Sequence, residues 1–262
     1  MAMSSRLGPW LRRYAPRPGA AVRLVCMPHA GGGAGAYRAW AALLPPSVEL
    51  VAVQYPGRED RFTEPLAESM DELVEGIAGA VRRIVDRPYL VFGHSMGAIV
   101  AYETVQRLRR LGVVEPDWLL VSGRPAPHQA EPGDVHLRDD DGLCVELVRL
   151  GGTDTDVLSD PDLRAAVLGY VRGDYRVIET YRPRPEPKLT CPIGVFVGDA
   201  DPELDVAGAQ GWRSMTAGRT DVESFKGNHF YLGPRRQEVI AAILRRLDPA
   251  VARTGSEWMD MP

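Results

Sequence analysis

Six short apolar runs, rich in β-branched residues, are spread along this chain with helix-length stretches between most of them: Val22 to Met27, Val48 to Val53, Tyr89 to Phe92, Trp118 to Val121, Ile193 to Val197 and a weaker Asp221 to Phe225. A strand with one wet face alternates apolar and polar residues, whereas a nearly continuous apolar strand must be covered on both faces. Parallel strands in turn need a long crossover, usually a helix. The pattern therefore predicts an α/β fold with a mostly parallel central sheet and helices on both faces.

The helices are legible as well. Leu66, Met70, Leu73, Val74, Ile77, Val81, Ile84 and Val85 recur at helical spacing, with Ser69 and Glu72 placed as a capping box and Pro88 beyond the end. A second helix follows Ser95 and ends near Gly112, and a last amphipathic stretch runs from Pro234 to Leu247. Between Val121 and Ile193 lie about seventy residues, far more than one crossover requires. Asp139 to Leu150 and Pro161 to Tyr181 read as helices there, the second with Leu163, Val167, Val171, Tyr175 and Ile178 near one side, and RPRPEPKLTCP returns the chain as an extended connector. Residues of about 126–190 thus form a helical lid insertion over the strand ends, where open α/β sheets bind ligands. The whole chain, 1–262, reads as a single domain, with a frayed tail at about 250–262.

Composition excludes several function classes. A net charge of −4 gives no basis for nucleic-acid binding, and no apolar stretch is long enough for a membrane span or a signal peptide. Three scattered cysteines, Cys26, Cys144 and Cys191, suit a reducing, cytoplasmic compartment better than a disulfide framework. No grouping of His, Cys and carboxylates has metal-ligand spacing, so neither a metal nor a resident cofactor is expected.

Residues 93–97 read GHSMG and join an apolar run to a helix. Glycines two residues either side of a serine let the backbone pinch into a strand-to-helix turn that pushes the hydroxyl outward. Ser95 is accordingly the candidate nucleophile, the alternative being an incidental glycine-rich turn. A serine needs a base, itself oriented by an acid. His229, in the loop between the last strand and the last helix, is the candidate base; His29, His94, His128 and His136 are assigned to structure or solvent. The strand Ile193 to Val197 runs into GDADPE, which offers Asp199 and Asp201, and Asp201, deeper in the loop, is preferred. The end of the strand at Val121 offers no carboxylate, only Ser122, Gly123 and Arg124. For an oxyanion, the Met96 N–H at a helix start is free to donate, and a second donor is expected from the glycine-rich loop PHAGGGAGAY, residues 28–37. That loop lacks the Lys-Ser/Thr ending of a phosphate-binding loop.

Taken together, PHAGGGAGAY, YPGRE at 55–59, GHSMGA, ETYRPRP leading into LTCPI, GDADP and GNHFYL resemble the type II thioesterases that accompany polyketide and nonribosomal peptide synthetases, in order from about residue 22 to 247. The resemblance implies an α/β-hydrolase with a helical lid that releases acyl groups from the phosphopantetheine arm of acyl or peptidyl carrier proteins, clearing stalled or misprimed synthases. It also implies Ser95, His229 and Asp201 as the triad and the N–H groups of Ala30 and Met96 as the oxyanion hole. Asn228 departs from the glycine many relatives carry beside the histidine. Met96, Leu143 and Val167 are expected in the acyl-chamber wall, and Arg58 and Glu59 form a structural turn with an ion pair or else a carrier-docking feature. Two other functions use the same residues: an esterase or acyltransferase acting on small acyl substrates, and a carrier-binding module without catalysis.

Overall fold

The computed structural model describes residues 7–151 and 160–247. Seven strands form one sheet: β1 (Leu11–Arg12), β2 (Val22–Met27), β3 (Val48–Val53), β4 (Tyr89–His94), β5 (Trp118–Ser122), β6 (Ile193–Gly198) and β7 (Thr220–Phe225). Their order is β1-β3-β2-β4-β5-β6-β7, with β1 antiparallel at the edge and every other pairing parallel. All six strands read from the sequence are present, within two residues of their expected ends; β1, two residues long, was not foreseen.

The sheet is covered on both faces, which is why its strands are continuously apolar. Successive side chains of one strand enter different cores: Val25, Met27, Val91, Val195 and Val197 pack with helices α1 (Met70–Val81) and α2 (Met96–Arg110). Leu24, Cys26, Leu90, Phe92 and Phe196 pack on the opposite side with Tyr37, Trp40 and the last helix. Cys26, Cys144 and Cys191 are all free thiols. No helix among the described residues is long and apolar enough to cross a membrane.

Local chemistry sets the helix ends. Ser69 Oγ accepts the Glu72 N–H at 3.2 Å, as expected for a cap, but the Glu72 carboxylate bonds the Glu68 N–H at 2.9 Å rather than closing the box on Ser69. The helix is also shorter than the apolar periodicity, leaving Leu66, Ile84 and Val85 outside it. Between β5 and β6 the described chain makes short 3-10 turns and the helices α3 (Asp140–Leu150) and α4 (Pro161–Thr180). Asp139 caps α3 through Gly142 N at 2.8 Å, and Asp160 caps α4 through Asp162 N and Leu163 N, both at 3.0 Å. Val135, Leu143, Leu147, Leu168 and Val171 build a small core between these elements, with Val167 packed on it, while Leu163 faces solvent. A short helix, α5 (Val206–Ala209), follows β6, and α6 (Arg236–Leu244) follows β7. The tail at about 250–262 lies outside the described residues.

Candidate active site

β4 and α2 meet at Ser95, whose backbone sits at φ 53°, ψ −121°. A side chain on either flanking glycine would collide with main chain: a Cβ on Gly93 would lie 2.0 Å from Gly97 O, and one on Gly97 would lie 2.2 Å from Met27 O. The turn is pinned across the sheet by Ser95 N–H donating to Ser122 O at 2.8 Å.

The carboxyl ends of β6 and β7 bring the other two candidates together. His229 Nδ1 lies 2.9 Å and 3.0 Å from the two carboxylate oxygens of Asp201, and both side chains are fully enclosed. Asp199, the other acid considered, accepts the Gly227 N–H at 2.8 Å and so holds the loop that presents His229. Asn228 Oδ1 accepts the Phe230 N–H at 3.0 Å in that loop. Ser95 and the pair share a neighbour, the end of β5: Ser95 bonds Ser122, and a Cβ on Gly123 would stand 3.1 Å from His229 Cε1 and 3.2 Å from Asp201 Oδ2. His229 Nε2 is buried and makes no hydrogen bond with a described residue, so the serine–histidine hydrogen bond is not formed in this conformation.

The remaining histidines divide as assigned from the sequence. His94 is wholly buried, its Nδ1 2.9 Å from Ser122 Oγ, which is in turn 2.6 Å from Tyr231 OH. Its ring centroid is 4.9 Å from that of His229 and 6.0 Å from that of His29. Burial, with His229 and Arg58 nearby, pulls His29 down to about 4; burial, with His229 and His29, pulls His94 well below the ordinary imidazole value. Both are thus neutral near pH 7. His128 is exposed and His136 pairs with Glu179.

Ala30, Ser95 and Met96 open onto a cavity of about 560 Å3 beneath α3 and α4. Neither the Ala30 nor the Met96 N–H donates to a described residue, leaving both free for a ligand oxygen. The apolar wall is Val135, Val145, Leu150, Tyr175 and Ile178. Met96 is in the wall as expected, but Leu143 and Val167 are not: they pack between the two helices. Charged groups complete the lining, and most are paired, Arg149 with Glu146 and Glu203, and Arg138 with Glu146. Arg124 is the exception in quality, with only a 3.9 Å approach to Glu203. Burial lowers its guanidinium from the ordinary value. Sequence reasoning missed Ser122, Tyr231 and Arg124 here because no local pattern marks a residue that acts through tertiary neighbours. No group of three or more His, Cys, Asp or Glu among the described residues is placed to hold a metal ion.

The Arg58–Glu59 ion pair weighed for the YPGRE turn is not formed among the described residues, because each side chain has a more distant partner. Arg58 pairs with Asp174 in α4, and Glu59, at φ 48°, accepts the Gly35 N–H at 2.9 Å.

Comparison with known proteins places the whole chain. The family model described as "Thioesterase domain" matches residues 22–247. Thioesterase PikA5 of Streptomyces venezuelae is 44% identical over 233 residues, covering 88% of this chain and 83% of that protein. The gramicidin S biosynthesis protein GrsT of Aneurinibacillus migulanus is 32% identical over 248 residues, covering 94% and 97%. The solved structure of BorB, a type II thioesterase from the borrelidin biosynthetic cluster, superposes with a TM-score of 0.86 at 42% identity, over 94% of this chain and 100% of that one. With its parallel sheet, strand-to-helix serine turn and these relatives, the chain belongs to the thioesterase family, as a type II thioesterase of α/β-hydrolase fold.

Proposed function

We propose that this enzyme hydrolyses acyl thioesters from the phosphopantetheine arm of acyl or peptidyl carrier proteins, acting in the cytoplasm to free synthases of stalled or wrongly loaded groups. The observation that carries the reading is the enclosed Asp201–His229 pair beside a serine held at positive φ on a cavity floor. Relatives named for gramicidin S biosynthesis and for the borrelidin cluster support the setting.

In this mechanism Ser95 Oγ comes within hydrogen-bond reach of His229 Nε2 when substrate binds, a contact that free enzymes often leave loose. Oγ attacks the thioester carbonyl and its proton passes to Nε2, while Asp201 holds the Nδ1–H and favours the imidazolium. The Ala30 and Met96 N–H groups receive the oxyanion; one such donor is worth about 3 kcal/mol in the transition state. The thiolate leaves readily, since a thiol pKa near 8.5 makes it a far better leaving group than an amine, and it takes the proton from the His229 imidazolium, which restores the neutral ring as a base. Water, deprotonated by His229, then releases the acid. No resident cofactor is required. Residues of about 126–190 act as the lid, closing the acyl chamber over Ser95 within a single hydrolase domain.

Labelling with a fluorophosphonate should add mass at Ser95, and Ser95→Ala should abolish both labelling and turnover. Acyl-carrier protein, acyl-pantetheine and simple esters should then be compared as substrates. Inert carrier thioesters beside fast simple esters would favour a general esterase, transfer to an added alcohol in preference to water an acyltransferase. Folded protein that neither labels nor turns over would leave only carrier binding.

A further inference from the structure

Arg58 is buried, yet it makes no contact with the triad. Its Nη2 donates to Asp174 Oδ1 at 2.8 Å and its Nη1 to Asp174 Oδ2, a bidentate pair joining the YPGRE turn to the middle of α4. The guanidinium also lies 5.5 Å from the Tyr55 ring and 5.1 Å from the Tyr170 ring. Both partners grip the loop that carries Ala30. Asp174 Oδ2 accepts the Gly31 N–H at 2.8 Å, and Arg58 Nη1 donates to Gly32 O at 3.3 Å. Gly32 N–H donates in turn to His29 O at 2.9 Å.

That last bond matters because the His29 carbonyl and the Ala30 N–H belong to one planar peptide, so fixing one fixes the direction of the other. Gly31, at φ +80°, presses so closely on α4 that a Cβ there would stand 2.8 Å from Val171 Cγ2. The ion pair thus holds Gly31 N–H and Gly32 O directly, and Gly32 N–H, in the same residue, holds the His29 carbonyl.

We propose that the Arg58–Asp174 pair is a positioning device that aims the Ala30 N–H at the oxyanion, so that α4 serves the chemistry as well as roofing the cavity. The inference rests on Ala30 being an oxyanion donor, as read above. A buried ion pair contributes little net stability against an apolar substitute of similar size, so its geometry is the feature that a specific task would use.

Two double variants separate position from stability. Arg58→Met with Asp174→Leu removes both charges together, a change that buried pairs often tolerate, and deprives Gly31 of its acceptor. Arg58→Met with Asp174→Asn removes the charges but keeps an acceptor oxygen for Gly31. With an acyl N-acetylcysteamine thioester, the Leu form should lose about 10- to 100-fold in kcat at nearly constant KM, because the donor is misaimed but not deleted. The Asn form should recover most of that loss, with thermal melts showing both folded. Arg58→Lys, which keeps the charge but not the fork, should lose kcat in the same sense by a smaller factor if the Leu form does not fold. Unchanged kcat, a loss confined to KM, or equal losses in the Leu and Asn forms would overturn the proposal. Ser95→Ala runs alongside: activity surviving there defeats the serine mechanism itself, whereas a dead Ser95→Ala beside a fully active Leu form defeats only the positioning role.

Discussion

Ser95 keeps a conformation that L-residues rarely adopt, and it does so because its two glycine neighbours let main chain close around it. Replacing Gly97 by alanine would drive a methyl into the Met27 and Pro28 carbonyls, at 2.2 Å and 2.5 Å, where only backbone can yield. Gly97→Ala should therefore cost about 3 kcal/mol of stability, read as a lowered urea midpoint at unchanged slope. A midpoint equal to that of the parent would mean the elbow is looser than it looks. Asp201→Asn tests a different property, since an amide of the same shape presents the wrong partner to Nδ1 and favours the wrong tautomer. In serine-triad enzymes that change lowers kcat by about 10⁴-fold with the fold intact, and the same loss is expected here, checked by turnover beside circular dichroism. The turn at Ser95 and its flanking glycines was readable because it is local, while the loop after β6 offered two acids, Asp199 and Asp201, of which Asp201 was preferred for lying deeper in it. Asp174 was not readable: it meets Arg58 across 116 residues, and nothing near either one in sequence marks the other.

Strands and helices were legible where their chemistry is local, in the continuous apolar runs of β2 to β6 and in the cap at Ser69, whereas the caps at Asp139 and Asp160 emerge from the structure. β1 escaped because two residues have no period, and its place at the sheet edge comes from pairing with β3. The inserted helices show a subtler limit. Apolar spacing identifies which face of α3 and α4 is buried, but not whether that face meets a neighbouring helix or an open chamber. Leu143 and Val167 accordingly pair with the helical core while Tyr175 and Ile178, further along α4, reach the cavity. Because α4 carries both Tyr175 and Asp174, its N-terminal cap has consequences beyond local fraying. Asp160→Ala removes the acceptor of two N–H groups and should lower stability by about 1 kcal/mol. Hydrogen exchange should show the first turn of α4 opening more readily; exchange identical to the parent would mean that tertiary contacts alone fix the start of the helix.

At the scale of the whole molecule, two strand ends, the glycine loop and α4 converge on one point, and the convergence encloses imidazoles that water would otherwise reach. The length of the β5–β6 connection shows that something covers the strand ends; its clamp onto the glycine loop through Arg58 becomes visible only in three dimensions. Enclosure has a thermodynamic signature. His29, pulled to about 4, and His94, pulled well below its ordinary value, stay neutral in the fold, while in the unfolded chain both regain a pKa near 6.5. Below about pH 6.5 the unfolded state therefore binds more protons than the native state, so stability rises with pH through this window and falls as pH drops toward 4. Their contribution is fully present above the unfolded value. Denaturant midpoints should decline steadily between pH 7 and pH 5, and His94→Gln, which keeps a polar partner for Ser122 but cannot titrate, should flatten that slope whatever its effect on stability at pH 7. A parent midpoint constant over the range would show that the imidazoles are as accessible to protons in the fold as out of it, and that the elements around Ser95 do not seal the site as the packing indicates.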